Sequence, residues 1–248
     1  MFEGSLKIMA GRLQTLLADC GPSMMLYGSA VLDDFCPGWS ELDFLLLTDR
    51  PIPMETAEIL VSLRQSLLAE HPGNLYFRSF EGAILTKEAF AAGGGPAVYW
   101  GTSGQRIRNE YRLDPFSRIE LLEKGQVVFG EDFRDLISWP DPKELTTAIR
   151  YHYETIRQYG DSGTSWILDI ARCLYTLRTG RVIAKTKAGE WALVEGLCPN
   201  PQVMERVLKI RKNPRALLTQ PVTKAWTDAL GPEIQKFADV LECELEKK

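Results

Sequence analysis

Apolar positions in the first part of the chain switch between a helical and an extended period. Leu6, Met9, Leu13, Leu16 and Leu17 share one side of a helix predicted over Ser5–Cys20, with Ser5 placed to cap it. Two short β-prone runs follow, Met24 to Tyr27, which ends at Gly28, and Glu41 to Thr48. Period-two alternation in the second run puts Glu41 and Asp43 on one face and Leu42 and Phe44 on the other. Pro51 to Pro53 breaks that strand, and Met54 to Glu70 resumes helical spacing through Ile59, Leu60, Leu63, Leu67 and Leu68. After the turn His71-Pro72-Gly73-Asn74, Leu75 to Leu85 alternates as a strand, so Phe77, Ser79, Glu81 and Ala83 are expected to share a face.

The Gly-rich turn from Ala91 to Pro96 lacks the Lys-Ser ending of a Walker-type phosphate loop. Ala97 to Gly101 reads as a short strand. Thr102 to Asp114, polar and basic through Arg106, Arg108 and Arg112, reads as a solvated loop, with a lid near phosphates as the alternative. Arg118 to Lys124 is helical, and Gln126 to Phe129 is a strand ended by Gly130. Two prolines in Trp139-Pro140-Asp141-Pro142 then end the mixed pattern, and the remainder is helical: Leu145 to Tyr159, Ser165 to Arg178, Lys185 to Leu197, Pro201 to Ile210 and Thr223 to Glu246. The expected class is α+β, a small mixed sheet with helices over residues 1–139 followed by an all-α helical bundle over 140–248. In the second bundle helix Ile167, Ile170, Leu174 and Leu177 form the core stripe, while Asp169 and Arg172 are polar positions that can face a cleft.

Composition narrows the chemistry. The net charge of −4 over 248 residues argues against a protein that grips long nucleic acid and favours a small, cationic partner. No apolar run approaches the length of a membrane span and the first residues lack a signal-peptide core, so the expectation is a cytoplasmic protein without a membrane partner. Five scattered cysteines without Cys-x-x-Cys spacing read as thiols of a reducing compartment. With His71 and His152 as the only histidines, a zinc site or a Ser-His triad is disfavoured, and a general base is expected to be a carboxylate.

Against this background the stretch from Met24 to Thr48 carries the candidate chemistry. Glu41 and Asp43 on one strand face suit a hard divalent cation such as Mg²⁺, because neighbouring carboxylates repel unless a cation lies between them. Gly28 lets the backbone approach an anion, and Ser29 offers a hydroxyl and an N–H at a turn. Glu81, on the expected third strand, is a further carboxylate within reach.

Gly28-Ser29 and Ser40-Glu41-Leu42-Asp43 resemble the signature of the DNA polymerase beta-like nucleotidyltransferase superfamily. The segment Trp166 to Gly180, followed by Ala184-Lys185 and Glu190-Trp191-Ala192, resembles the helical domain of the aminoglycoside adenylyltransferases that modify streptomycin and spectinomycin. That resemblance implies an enzyme that moves AMP from ATP to a hydroxyl of a small acceptor with two Mg²⁺ ions. It implies further that Gly28 and Ser29 meet the triphosphate, Glu41, Asp43 and Glu81 hold metal, Glu81 is the general base, and Lys185 and Arg172 bind nucleotide. Trp100 and Asp161 are candidate acceptor contacts. Where those antibiotic enzymes usually carry Asp, this chain has Glu41. The alternatives are a nucleotide-binding homologue without transfer activity and an enzyme that adenylates a protein or RNA.

Overall fold

The computed structural model describes residues 2–101 and 104–247, in two compact units, Met1–Trp139 and Pro140–Lys248. The first unit is built on six strands: β1 (Pro22–Tyr27), β2 (Leu42–Thr48), β3 (Phe80–Thr86), β4 (Gly95–Gly101), β5 (Gly104–Tyr111) and β6 (Gln126–Phe129), in the order β5-β4-β3-β2-β1-β6. β2 and β3 run parallel, and the other neighbours pair antiparallel. A parallel pair needs a crossover, and the helix Met54–Glu70 (α2) lies within it, after the first helix Glu3–Leu16 (α1).

Alternation along the central strands sends side chains into two separate cores. Leu42, Phe44, Leu46, Ile84, Val98 and Trp100 pack against Met9 and Leu13 of α1 and Leu60, Leu63 and Leu67 of α2. The opposite face carries Met25, Tyr27, Leu45, Leu47, Ala83 and Leu85, with Leu121 from the helix Pro115–Lys124 (named α4, after the short α3, Lys87–Ala91). Asp43 and Glu81 alternate with the first set, so they belong to the second face, at the edge of its core.

Several elements differ from the pattern-based expectation. α1 begins at Glu3, so Ser5 sits inside its first turns, buried, and donates to Asn74 Oδ1 at 3.1 Å instead of capping. Residues Leu75–Ser79 form a 3₁₀ turn, started by an Asn74 side chain that accepts from the Tyr76 N–H. The strand begins only at Phe80, and Phe77 packs into the helix-side core, not on the face of Glu81. Residues 104–111 form an edge strand where a loop was expected, while Thr102 and Ser103 of that stretch lie outside the described residues. Charged side chains on such an edge discourage further strand pairing.

The second unit contains helices α5 (Pro142–Tyr159), α6 (Ser165–Thr179), α7 (Lys185–Val194), α8 (Pro201–Lys212), α9 (Pro214–Leu218), α10 (Pro221–Asp228) and α11 (Gly231–Leu245). α5 opens with a capping box, in which Asp141 accepts from Glu144 N–H and Glu144 accepts from Asp141 N–H. The long last helix expected from spacing is two, because Pro232 cannot donate to the preceding turn and serves instead near the start of α11. α6 is central, packing on α5, α7 and α11. Among the described residues no helix is long and apolar enough to cross a membrane.

The β2–β3 register rests on Gly82. A Cβ there would overlap the Phe44 carbonyl oxygen and come within 2.9 Å of the Phe44 ring, so the two backbones would have to part. Gly82→Ala is expected to destabilise the first unit by about 1–3 kcal/mol, the usual cost of overpacking. Urea unfolding measures this; a variant as stable as wild type would show that the strands can separate freely at this point.

Candidate active site

β1 ends at Tyr27, and Gly28 turns the chain with φ of 70°, a left-handed conformation that suits glycine. Gly28–Ala30 make a single 3₁₀ turn in which Val31 N–H donates to the Gly28 carbonyl. Ser29 Oγ donates to the Glu41 carbonyl at 3.2 Å, tying this turn to the residue just before β2. The connecting loop is pinned by Ser40, buried, whose Oγ accepts from Cys36 N–H at 2.9 Å.

The turn delivers Gly28 against Asp43. A Cβ on Gly28 would overlap Asp43 Oδ2 and lie 2.8 Å from its Cγ, so the carboxylate occupies the space that any other residue would fill. Asp43 pairs with Tyr27 across β1 and with Glu81 across β3, which sets the two carboxylates side by side on neighbouring strands. Both residues are partly exposed. Glu41 lies one residue outside β2.

Tyrosines wall the same face. Tyr99 Oη donates to Glu81 Oε1 at 2.9 Å. Burial and the Glu81 charge push the Tyr99 phenol up to about 12, so it remains a donor. Tyr111 and Tyr27 are also raised, first by burial; next in order come Asp114 for Tyr111 and Tyr111 for Tyr27, and Asp43 adds to both. Arg108 lies over the Tyr99 ring at 4.3 Å and Arg106 at 5.5 Å.

Behind the carboxylates stands Arg64 of α2, buried, donating to the carbonyls of Phe80 (2.8 Å) and Gly101 (3.0 Å). Burial lowers its guanidinium from the ordinary value, and the fields of Glu81 and Glu41 oppose that. Sequence reasoning missed Tyr99 and Arg64. For Arg64 a signal existed, an arginine inside the apolar stripe of Leu60, Leu63 and Leu67; for Tyr99 none did, because its role depends on how β4 registers against β3.

Among the described residues no three acidic, histidine or cysteine groups converge closely enough to hold an ion alone. The donor chemistry nevertheless fits Mg²⁺, which binds through one or two carboxylates and completes its octahedron with phosphate oxygens and water. Asp43 and Glu81 are such a pair. Trp100, expected to touch the acceptor, is instead fully buried: its ring meets Phe44 edge-on and its Nε1 donates to the Leu60 carbonyl at 3.0 Å. It is a core residue, and its strand parity opposes it to Tyr99.

In the second unit, Lys185 opens α7 and Arg172 lies on α6, and both reach Asp169. Asp169 Oδ1 accepts from Lys185 Nζ at 3.0 Å and from an Arg172 terminal nitrogen at 3.2 Å. Burial alone would raise this carboxyl; Lys185, Arg172 and His152 overcome it and hold Asp169 down to about 2. The group stays ionised throughout the neutral range. Asp161 is exposed and accepts from Ser162 Oγ at 3.2 Å.

Residues 135–241 match the family model of the aminoglycoside adenylyltransferase C-terminal domain. The whole chain is similar to the crystal structure of spectinomycin adenyltransferase AAD(9) from Enterococcus faecialis with ATP and spectinomycin. The TM-score is 0.69 at 18% identity, covering 96% of this chain and 98% of that one. No curated protein matches the chain. At this identity the likeness establishes the fold: a mixed sheet with helices followed by a helical region, the α+β class expected from the sequence. The family match thus covers the C-terminal part of the chain, residues 135–241, and the structural likeness carries the fold across both parts.

Proposed function

We propose that this protein transfers AMP from ATP to a hydroxyl of a small cationic acceptor of the aminoglycoside type, streptomycin or spectinomycin being the first to test. The observation that carries the reading is the pairing of Asp43 with Glu81 in register, with Gly28 pressed against the Asp43 carboxylate. Its support is the adenylyltransferase domain over residues 135–241, and the net charge of −4 suits a cationic acceptor.

In this reading the acceptor oxygen forms a bond to the α-phosphorus as the bond to the β-phosphate oxygen breaks, and the electron pair leaves with pyrophosphate. Glu81 takes the hydroxyl proton. Tyr99 holds Oε1 of Glu81 by its hydrogen bond, which leaves Oε2 to face the acceptor. Asp43 and Glu81 are the groups that would hold Mg²⁺, and Glu41 is the further carboxylate that a second ion would use. Bound there, Mg²⁺ supplies charge stabilisation to the phosphate oxygens as negative charge builds on the leaving group. Gly28 and Ser29 shape the turn proposed to meet the phosphates, Lys185 and Arg172 are kept as nucleotide-binding cations, and Asp161 is kept as an acceptor contact.

Incubation with ATP, Mg²⁺ and spectinomycin or streptomycin, followed by mass spectrometry, is expected to show drug carrying one AMP and one pyrophosphate released per adduct. Asp43→Asn should lower the rate by roughly 10²–10³-fold while leaving the fold intact. Release of no pyrophosphate with any aminoglycoside, although ATP binds, would refute the proposal. Gly28→Ala should displace the Asp43 carboxylate and weaken Mn²⁺-dependent ATP binding by about 10–100-fold, the usual consequence of disturbing groups that orient metal ligands. Calorimetry with and without Mn²⁺ reads this, and unchanged binding would remove Asp43 from the metal site.

A further inference from the structure

Lys185 stands at the first position of α7, where a cation is opposed by the helix dipole and contributes nothing to the helix. Arg172 on α6 brings a second positive charge to the same place, and the two share one oxygen of Asp169. Side-chain exposures of 27% for Lys185 and 17% for Arg172 show that both still reach solvent, and the Asp169 carboxylate between them is mostly covered, at 13%. Two long cations with a route to water separate unless something holds them together. The Asp169 carboxylate is the group that does so here, with His152 of α5 adding a further attractive field on the same anion.

A purely structural pair would need one cation. Here Asp169 accepts from two, and both keep exposed side-chain surface from which further donors can reach an incoming phosphate.

We propose that Asp169 is a positioning residue for nucleotide binding, holding Lys185 and Arg172 side by side so that both present donors to the phosphates of ATP. This rests on the assignment of Lys185 and Arg172 to the nucleotide. An amide at position 169 keeps an acceptor oxygen but removes the charge and adds a donor facing the two cations, so it gathers them far less strongly.

The test is ATP binding by calorimetry together with steady-state kinetics on the full chain. Asp169→Asn is expected to raise the ATP Kd and the ATP KM tenfold or more, with kcat and the acceptor KM within threefold of wild type. If Asp169 only tempers the local charge, its removal leaves ATP binding unchanged or tighter, and either outcome overturns the proposal. Asp169→Glu keeps the charge one methylene further out and serves if the amide fails to fold. Positioning requires its ATP Kd to rise threefold or more, and a wild-type value contradicts it. Lys185→Ala separates the two levels of the argument. Unchanged ATP affinity in that variant removes the nucleotide assignment itself, whereas weakened affinity there beside normal affinity in Asp169→Asn removes only the role of Asp169.

Discussion

Two like charges held on adjacent parallel strands are the constraint around which the first unit is built. The register that sets Asp43 beside Glu81 also sets Leu42 beside Phe80 and Leu45 beside Ala83, so the carboxylates cannot slip apart without moving both cores. Like charges facing each other across strands repel. The fold answers with a phenol that donates to Glu81, a buried guanidinium whose field includes Glu81 and Glu41, and a glycine that makes room for Asp43. In the proposed function a divalent cation with phosphate ligands would lie between the two carboxylates, and the strand register would then serve phosphoryl chemistry.

The C-terminal unit shows the converse arrangement, with two cations gathered by one anion. Asp169 sits low on α6, and its neighbours Lys185 and Arg172 hold it ionised against burial. Cys173, one turn further along the helix, is pushed up to about 12, first by burial and then by the Asp169 charge, so it stays a thiol and packs as core. Each unit thus gathers charged side chains on a rigid scaffold, a strand pair in one case and the packed helices α6 and α7 in the other. Preorganised charge of this kind is what phosphoryl transfer asks of a protein, since the covalent chemistry itself needs little from side chains.

Much of this was legible in the sequence wherever the relevant physics is local. The α2 helix occupies the predicted Met54–Glu70, and the strand over Gln126–Phe129 is as expected, because periodicity and flanking turn residues specify both. Glu81 was reached by alternation over a run whose first part is not a strand at all; the count survived because Glu81 and Ala83 lie within the true β3. Trp100 failed as an acceptor contact for a related reason. An aromatic residue on a short strand can face either way, and only pairing with β3 decides that it faces the α2 side while Tyr99 meets Glu81. Residues 104–111 were opaque because their strand character comes from an available neighbour edge, not from an apolar pattern. The shared oxygen of Asp169 was hidden too, since it joins side chains from two helices.

The most direct test of the central claim is a crystal structure grown with Mn²⁺ and a non-hydrolysable ATP analogue, with the ion located by anomalous scattering. The account predicts an anomalous peak bonded to carboxylate oxygens of both Asp43 and Glu81 and to phosphate oxygens of the nucleotide. A peak coordinated by phosphate and water alone, with Asp43 and Glu81 turned elsewhere, would contradict it.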